Sequence, residues 1–267
     1  MTTRLDLHVR NAERFRSLHH DALPLILPNA WDAASAATLV AGGFGAIATS
    51  SGAISRSLGY SDGEGTPADE MFAATARIVA GAAAERGAGL PPVLVTADIE
   101  TGYGLSAAEL VARLVEAGAV GCNLEDSDPR TGKLMSASEQ VDRIRAVVRA
   151  AHEAGTALVV NARVDVHVRQ DGPEHSRLER SMARARLYLD AGADCVFPIM
   201  LSDDADIAAY VKGVPGPVNI MARATTPSLR RLAELGVARV TFGSGLHRVA
   251  LTALKAAAER ISKGEEP

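Results

Sequence analysis

Short, continuously apolar runs alternate along the chain with longer stretches in which apolar residues recur at helical spacing. Eight such runs stand out, at residues 25–28, 45–50, 93–97, 120–124, 158–162, 195–199, 218–221 and 239–242. Each is only four to six residues long, the pattern of parallel strands buried on both faces. Ala-rich amphipathic stretches lie between them, and several carry helix-end signals. Ser106 with Glu109 three residues on predicts a capping box, and Gly118 closes that helix; residues 138–153 read the same way and end at Gly155. The tripeptides ending in Gly118, Gly155 and Gly192 each stop a helix just before a strand, where glycine accepts the left-handed conformation.

Eight strand–helix units of about 30 residues fill a (β/α)8 TIM barrel, whose typical size is about 250 residues. The α/β alternative, an open doubly wound sheet, lacks its Gly-x-Gly-x-x-Gly turn after the first run. No shift of composition and no Pro/Ser-rich linker divides the chain, so residues 1–267 read as a single barrel domain. Two long connections break the regular spacing. Residues 51–67 carry four glycines, and residues 126–138 carry Pro129 and Gly132; both are expected to be mobile covers over a site.

Composition narrows the partners. With 28 Lys+Arg against 32 Asp+Glu the formal charge is −4, and no basic block offers a surface for nucleic acid. No stretch approaches the ~20 apolar residues of a membrane span, and the first residues lack the apolar segment of a secretory signal. Cys122 and Cys195 lie inside apolar runs, as reduced buried thiols do, which suits a cytoplasmic protein.

In a barrel the reactive groups stand at the C-terminal strand ends. Those ends carry Ser50 and Ser51, then Asp98 and Glu100, then Glu125 and Asp126, then Arg163 and Asp165. A lone acidic residue there is usually an N-cap or an ion-pair partner. Four carboxylates from neighbouring strand ends would repel one another and take up protons unless a cation lay between them. Oxygen donors without a His/Cys set suit Mg²⁺, with Mn²⁺ as a substitute.

The run Thr96-Ala97-Asp98-Ile99-Glu100-Thr101-Gly102-Tyr103-Gly104, followed by Leu124-Glu125-Asp126 and Asn161-Ala162-Arg163-Val164-Asp165, resembles the isocitrate lyase and phosphoenolpyruvate mutase superfamily. Pro28-Asn29-Ala30-Trp31-Asp32, Ser50-Ser51-Gly52 and residues 58–64 and 192–198 extend the resemblance over nearly the whole chain. It implies a (β/α)8 barrel, Mg²⁺, and cleavage of a C–C or C–P bond in a small 2-oxo or 2-hydroxy carboxylate. It also implies metal-site roles for Asp98, Glu100 and Glu125, and a carboxylate-gripping turn at Ser50, Ser51 and Gly52. Arg163 is implied beside the substrate oxygen, Asp62 on a closing loop, and a homo-oligomer, dimer or tetramer, in which the last helix is exchanged between subunits. In that setting the metal and Arg163 neutralise an enolate oxygen as the bond at C3 breaks.

Departures from the family narrow the reaction. After the fourth run, the Cys-containing segment of the isocitrate-type members is replaced by Ser127-Asp128-Pro129-Arg130-Thr131-Gly132-Lys133, and the phosphonate-type Lys-Thr-Asn-Ser element is matched only in part. The expected function is therefore a C–C lyase. Phosphonopyruvate-type C–P mutase or hydrolase chemistry is the alternative, and a non-catalytic metabolite-binding barrel is a third reading. Asn219 is placed at the seventh strand end as a carboxylate contact. Residues 243–245 form a Gly-rich turn beside His247 and Arg248, and Trp31 follows the first strand; pocket and packing roles both remain open for these.

Overall fold

Proline at position 28 interrupts the first apolar run, because it has no N–H to give to a ladder. In the computed structural model, which describes residues 3–87 and 89–266, that run becomes two strands, β1 (Leu25–Leu27) and β2 (Asn29–Ala30). The other runs form β3 (Ala46–Thr49), β4 (Leu94–Asp98), β5 (Gly121–Glu125), β6 (Val159–Val164), β7 (Cys195–Pro198), β8 (Asn219–Met221) and β9 (Arg239–Thr241). All pairings between them are parallel. One ladder runs β2-β3-β4-β5-β6-β7 and the other β1-β9-β8. They meet across Pro28 and through a single bridge between Val196 and Val218. Every stave thus has a hydrogen-bonded neighbour on each side, as a (β/α)8 barrel requires.

The helices are α1 (Arg4–Ser17), α2 (Ala33–Ala41), α3 (Ser51–Leu58), α4 (Ala68–Arg86), α5 (Ala107–Ala117), α6 (Ala137–Glu153), α7 (Glu174–Asp190), α8 (Asp204–Gly213), α9 (Leu229–Glu234) and α10 (Gly245–Ser262). The Ser106/Glu109 capping box forms as expected, and Gly118, Gly155 and Gly192 all have positive φ. The start of α6 moves: Ser136, not Ser138, caps it, reciprocally with Glu139. The long connection at 51–67 also differs from expectation. Its first half is α3, begun by Ser50, whose side chain accepts from the Ala53 N–H, and ended by Gly59 in the left-handed region. The second connection is held too, by a Ser127–Leu134 bridge.

Helix α1 precedes the barrel and has no counterpart among the expected elements. Its His8, Ala12 and Phe15 are buried at helical spacing, and Phe15 packs with Leu27, Ala46, Leu94, Val120 and Val159 from five staves. Beside it, the Arg239 guanidinium lies 5.9 Å from the Phe15 ring centre, and His19 Nδ1–H donates to the Phe15 carbonyl at 2.9 Å. Burial, aided by the Arg239 charge, pulls the His19 pKa down to about 3. The unfolded chain therefore takes up a proton near pH 6.5 that the folded chain refuses. Stability from this source is complete above that pH and is lost as pH falls toward 3. In denaturant titrations between pH 7.5 and 4.5, His19→Leu is expected to flatten the acid decline by up to ~1.4 kcal/mol per pH unit. An unchanged slope would overturn this account.

Candidate active site

Ser50, Ser51, Gly52, Asp62, Asp98, Arg163, Met221, Arg223, Ser244 and Arg248 line one cavity of about 300 Å³ at the C-terminal strand ends. That is the small end of the ~300–1,000 Å³ usual for ligand sites. Asp98 is the last residue of β4 and faces this space. Its Oδ2 accepts from the Ser51 Oγ at 2.8 Å and the Ser51 N–H at 3.2 Å, while Oδ1 accepts from Asn123 at 3.3 Å. Ser50 Oγ lies 3.0 Å from Ser244 Oγ, tying the start of α3 to the turn before α10. A Cβ on Gly52 would fall 2.7 Å from Asp62 Oδ2, so a larger residue there would push that carboxylate aside.

The remaining acids stand behind this first row. Glu100 has φ of 51°, in the left-handed region, and is held there by the Tyr103 hydroxyl (2.8 Å) and the Glu64 N–H (2.5 Å). Burial, then the charges of Asp98 and Asp62, push its carboxyl up to about 7 against the pull of Tyr103. Glu125 is also raised by burial, although Arg163 lies 2.5 Å from it. Arg163 is further gripped by both oxygens of Asp165, at 2.6 and 2.9 Å. Burial opposes the Arg163 charge, but Glu125 and Asp165 outweigh it and raise its pKa. Asp165 also accepts from Ser127 Oγ, and its N–H donates to Asp126, which Tyr188 and Arg184 hold in turn.

Two expectations need restating. Among the described residues no three His, Cys, Asp or Glu side chains gather closely enough to hold an ion by themselves. Asp98 and Asp62 face the cavity, whereas Glu100 and Glu125 are engaged by Tyr103 and Arg163. Asn219 is not on the rim: it begins β8, is fully buried within the barrel, and accepts from Thr241 Oγ1 at 3.2 Å. The rim positions on that stave belong to Met221 and Arg223, which continue the same every-second-residue alternation. Arg223 was missed because it falls just beyond the apolar run. His247 and Trp31 stack edge-to-face at 5.0 Å, with His247 buried, while Arg248 lines the cavity.

The donor set fits a divalent cation. It is oxygen-only, the ligand chemistry that a hard cation such as Mg²⁺ takes. Mg²⁺ commonly keeps several waters, so one direct carboxylate with outer acids bonded through water suits it better than a closed cage.

The family model described as phosphoenolpyruvate phosphomutase matches residues 15–262. The chain belongs to this family. It is an enzyme of the phosphoenolpyruvate mutase/isocitrate lyase superfamily. An uncharacterized protein of Mycobacterium tuberculosis is 35% identical, over 94% of this chain and 90% of its own length. The 2-methylisocitrate lyase of Bacillus subtilis is 29% identical, over 94% and 79%. A crystal structure of a phosphonomutase candidate from Burkholderia cenocepacia shares 40% identity at a TM-score of 0.85, covering 94% of this chain and 99% of that one. Against the lyases of the family, the loop after β5 brings no thiol to the site. Cys122 and Cys195 are both buried within strands, which pushes each thiol up to about 12. Among the described residues no helix is long and apolar enough to cross a membrane.

Proposed function

We propose that this family member is an Mg²⁺-dependent lyase that cleaves a C–C bond of a small 2-oxo or 2-hydroxy carboxylate through an enolate. The observation that carries this reading is the single small cavity in which Asp62 and Asp98 share a wall with Arg163 and the turn at residues 50–52. Asp98 would hold the ion, with Glu100 and Glu125 behind it. When bound, the ion supplies Lewis-acid polarisation of the substrate's C2 oxygen. The first turn of α3 receives the substrate carboxylate. The Ser51 N–H is spent on Asp98, which leaves the Gly52 N–H, an unpaired donor of a helix start.

Arg163 gives two of its five N–H groups to Asp165 and is ion-paired with Glu125. A guanidinium held on that edge keeps donors for the C2 oxygen, which is the preorganisation an emerging oxyanion needs. Asp62, against Gly52 at the mouth, is the titratable group placed to carry a proton. With no thiol at the site, an isocitrate-type Cys acid is absent from this scheme. Decarboxylation or retro-aldol cleavage of a compact acid remains.

The test is release of a 2-oxo acid from a panel of 2-oxo and 2-hydroxy acids with Mg²⁺. Turnover that vanishes with EDTA, returns with Mg²⁺ and is blocked by oxalate is the expected result. Metal-independent ligand binding without turnover would favour the non-catalytic barrel. The Burkholderia cenocepacia relative supports a second reading, C–P chemistry on phosphonopyruvate; pyruvate and phosphate release from that compound separates the two. We also propose a homo-oligomer. Of the side chains of α10 only His247 is buried, while Val249 and Leu254 are each 65% exposed, an apolar face that a second copy would cover. The same preparation should sediment above the mass of one chain.

A further inference from the structure

We propose that Glu64 is a positioning residue: its carboxylate latches the loop that carries Asp62 onto the turn after β4, and so fixes where Asp62 stands at the mouth of the cavity. The use made of Asp62 rests on the lyase reading above, whereas the latch can be read without turnover.

Little holds the chain between α3 and α4. Residues 59–63 are exposed, and Gly59 and Gly63 have φ of 88° and 82°. Among the described residues, every hydrogen bond from residues 61–65 to another part of the chain is made by Glu64. Its N–H donates to Glu100 Oε2 at 2.5 Å. Its Oε1 accepts from the Tyr103 N–H at 2.8 Å and from the Thr101 hydroxyl. The Tyr103 hydroxyl donates to the other Glu100 oxygen at 2.8 Å. Glu64, Glu100 and Tyr103 thus form a closed ring in which each is bonded to the other two.

The same three residues carry backbone strain. Glu64, Glu100 and Tyr103 have φ of 61°, 51° and 57°, in the left-handed region that side chains disfavour. A loop that only connects two helices is free to relax such angles, and this one is held in them by its partners. The turn that receives the latch is itself anchored. The Thr101 carbonyl accepts from Arg143 of α6, whose other terminal nitrogen donates to Gln140 Oε1 at 3.0 Å. The Tyr103 ring packs against Phe72 of α4, with ring centres 6.5 Å apart. Burial pulls the Arg143 pKa down, and the Glu64 charge is the largest of those that oppose it.

Asp62 stands two residues before Glu64 and lines the cavity with Asp98 and Arg163. Its own side-chain bond is local, from the Gly63 N–H to Oδ1 at 3.1 Å. The place of its carboxylate against Gly52 is therefore set by where Glu64 is tied. A group that carries a proton needs that fixed place, since misplacement by a fraction of a bond length is costly.

Hydrogen exchange read by mass spectrometry over residues 59–66 tests the latch. The reporter is the amide at position 64, which donates to Glu100. The wild type is compared with Glu64→Ala, Glu64→Gln and Thr101→Val, each checked for an unchanged thermal midpoint. Glu64→Ala is expected to speed exchange of that amide ~10-fold or more, as loss of hydrogen bonds to a charged group does. Glu64→Gln keeps a carbonyl oxygen for Thr101 and Tyr103, so it should stay within about threefold of the wild type. Thr101→Val lies outside the loop and keeps its shape, yet it should speed exchange at position 64. Adding it to Glu64→Ala should change the rate by less than about twofold, because the two substitutions break one link. Turnover of any acid that proves to be a substrate should fall ~10-fold in Glu64→Ala and recover in Glu64→Gln. Wild-type exchange in Glu64→Ala, or equal acceleration in the alanine and glutamine variants, overturns the latch. Faster exchange with unchanged turnover overturns the positioning role. No turnover by the wild type sinks the lyase reading and the use of Asp62 with it, while the exchange result still decides the latch.

Discussion

Asp98→Asn is expected to lower Mg²⁺-dependent turnover by on the order of 10³-fold while the chain still folds. The residue ends β4 facing the cavity, and Ser51 and Asn123 fix both of its oxygens. An amide there removes the negative charge that holds the ion. It also sets either an NH₂ donor against the Ser51 N–H and hydroxyl or the same group against the Asn123 amide, so the side chain cannot keep its orientation without losing a hydrogen bond. Turnover at saturating Mg²⁺, together with a calorimetric Mg²⁺ titration, checks both parts. Wild-type metal affinity in the variant would remove Asp98 from the centre of the proposed chemistry.

Asp165→Ala has the largest expected effect on folding. Its carboxylate is fully buried, binds Arg163 through two bonds, and accepts a third from Ser127. Deleting it leaves the Arg163 guanidinium buried with Glu125 alone. Breaking a buried ion pair from one side typically costs ~3–5 kcal/mol, and urea unfolding at neutral pH measures it. Asp165→Asn keeps the shape and one acceptor, so it should recover part of the loss. A change below about 1 kcal/mol in the alanine variant would mean that Glu125 suffices to hold Arg163. Activity should fall in both variants, because a guanidinium free to rotate is no longer aimed at the substrate oxygen.

The staves were legible because burial on both faces leaves an unbroken apolar signature, and the helix ends because serine caps and positive-φ glycines are local chemistry. The rim was legible for a different reason. Asp98, Glu125 and Arg163 each stand at the close of an apolar run, where a charged side chain breaks the pattern. What the sequence hid is whatever depends on cross-strand register. Glu125 and Arg163 are direct partners in the β5–β6 ladder, so the carboxylate expected at the metal is shared with an arginine. Asn123 pairs in register with Asn161, and Asn219 with Arg239. These polar residues inside apolar runs point inward, beneath the site, and not to its rim. Helix α1 was hidden by its many charges, although Thr3 with Asp6 and the His8, Ala12, Phe15 spacing carried the signal. Arg223 was hidden because an arginine in a loop looks like any solvated charge until the fold shows what it faces.

The two ladders touch at just two seams, across Pro28 and at the Val196–Val218 bridge. The acids, Arg163 and the carboxylate turn belong to the six-stranded ladder or follow it, whereas Arg223 and Ser244 follow strands of the three-stranded one. A molecule gripped from both sides therefore acts as a clasp between the halves of the ring. Occupancy and cohesion of the ring become one linked equilibrium, in which each tenfold excess of ligand over its dissociation constant adds about 1.4 kcal/mol to the closed form.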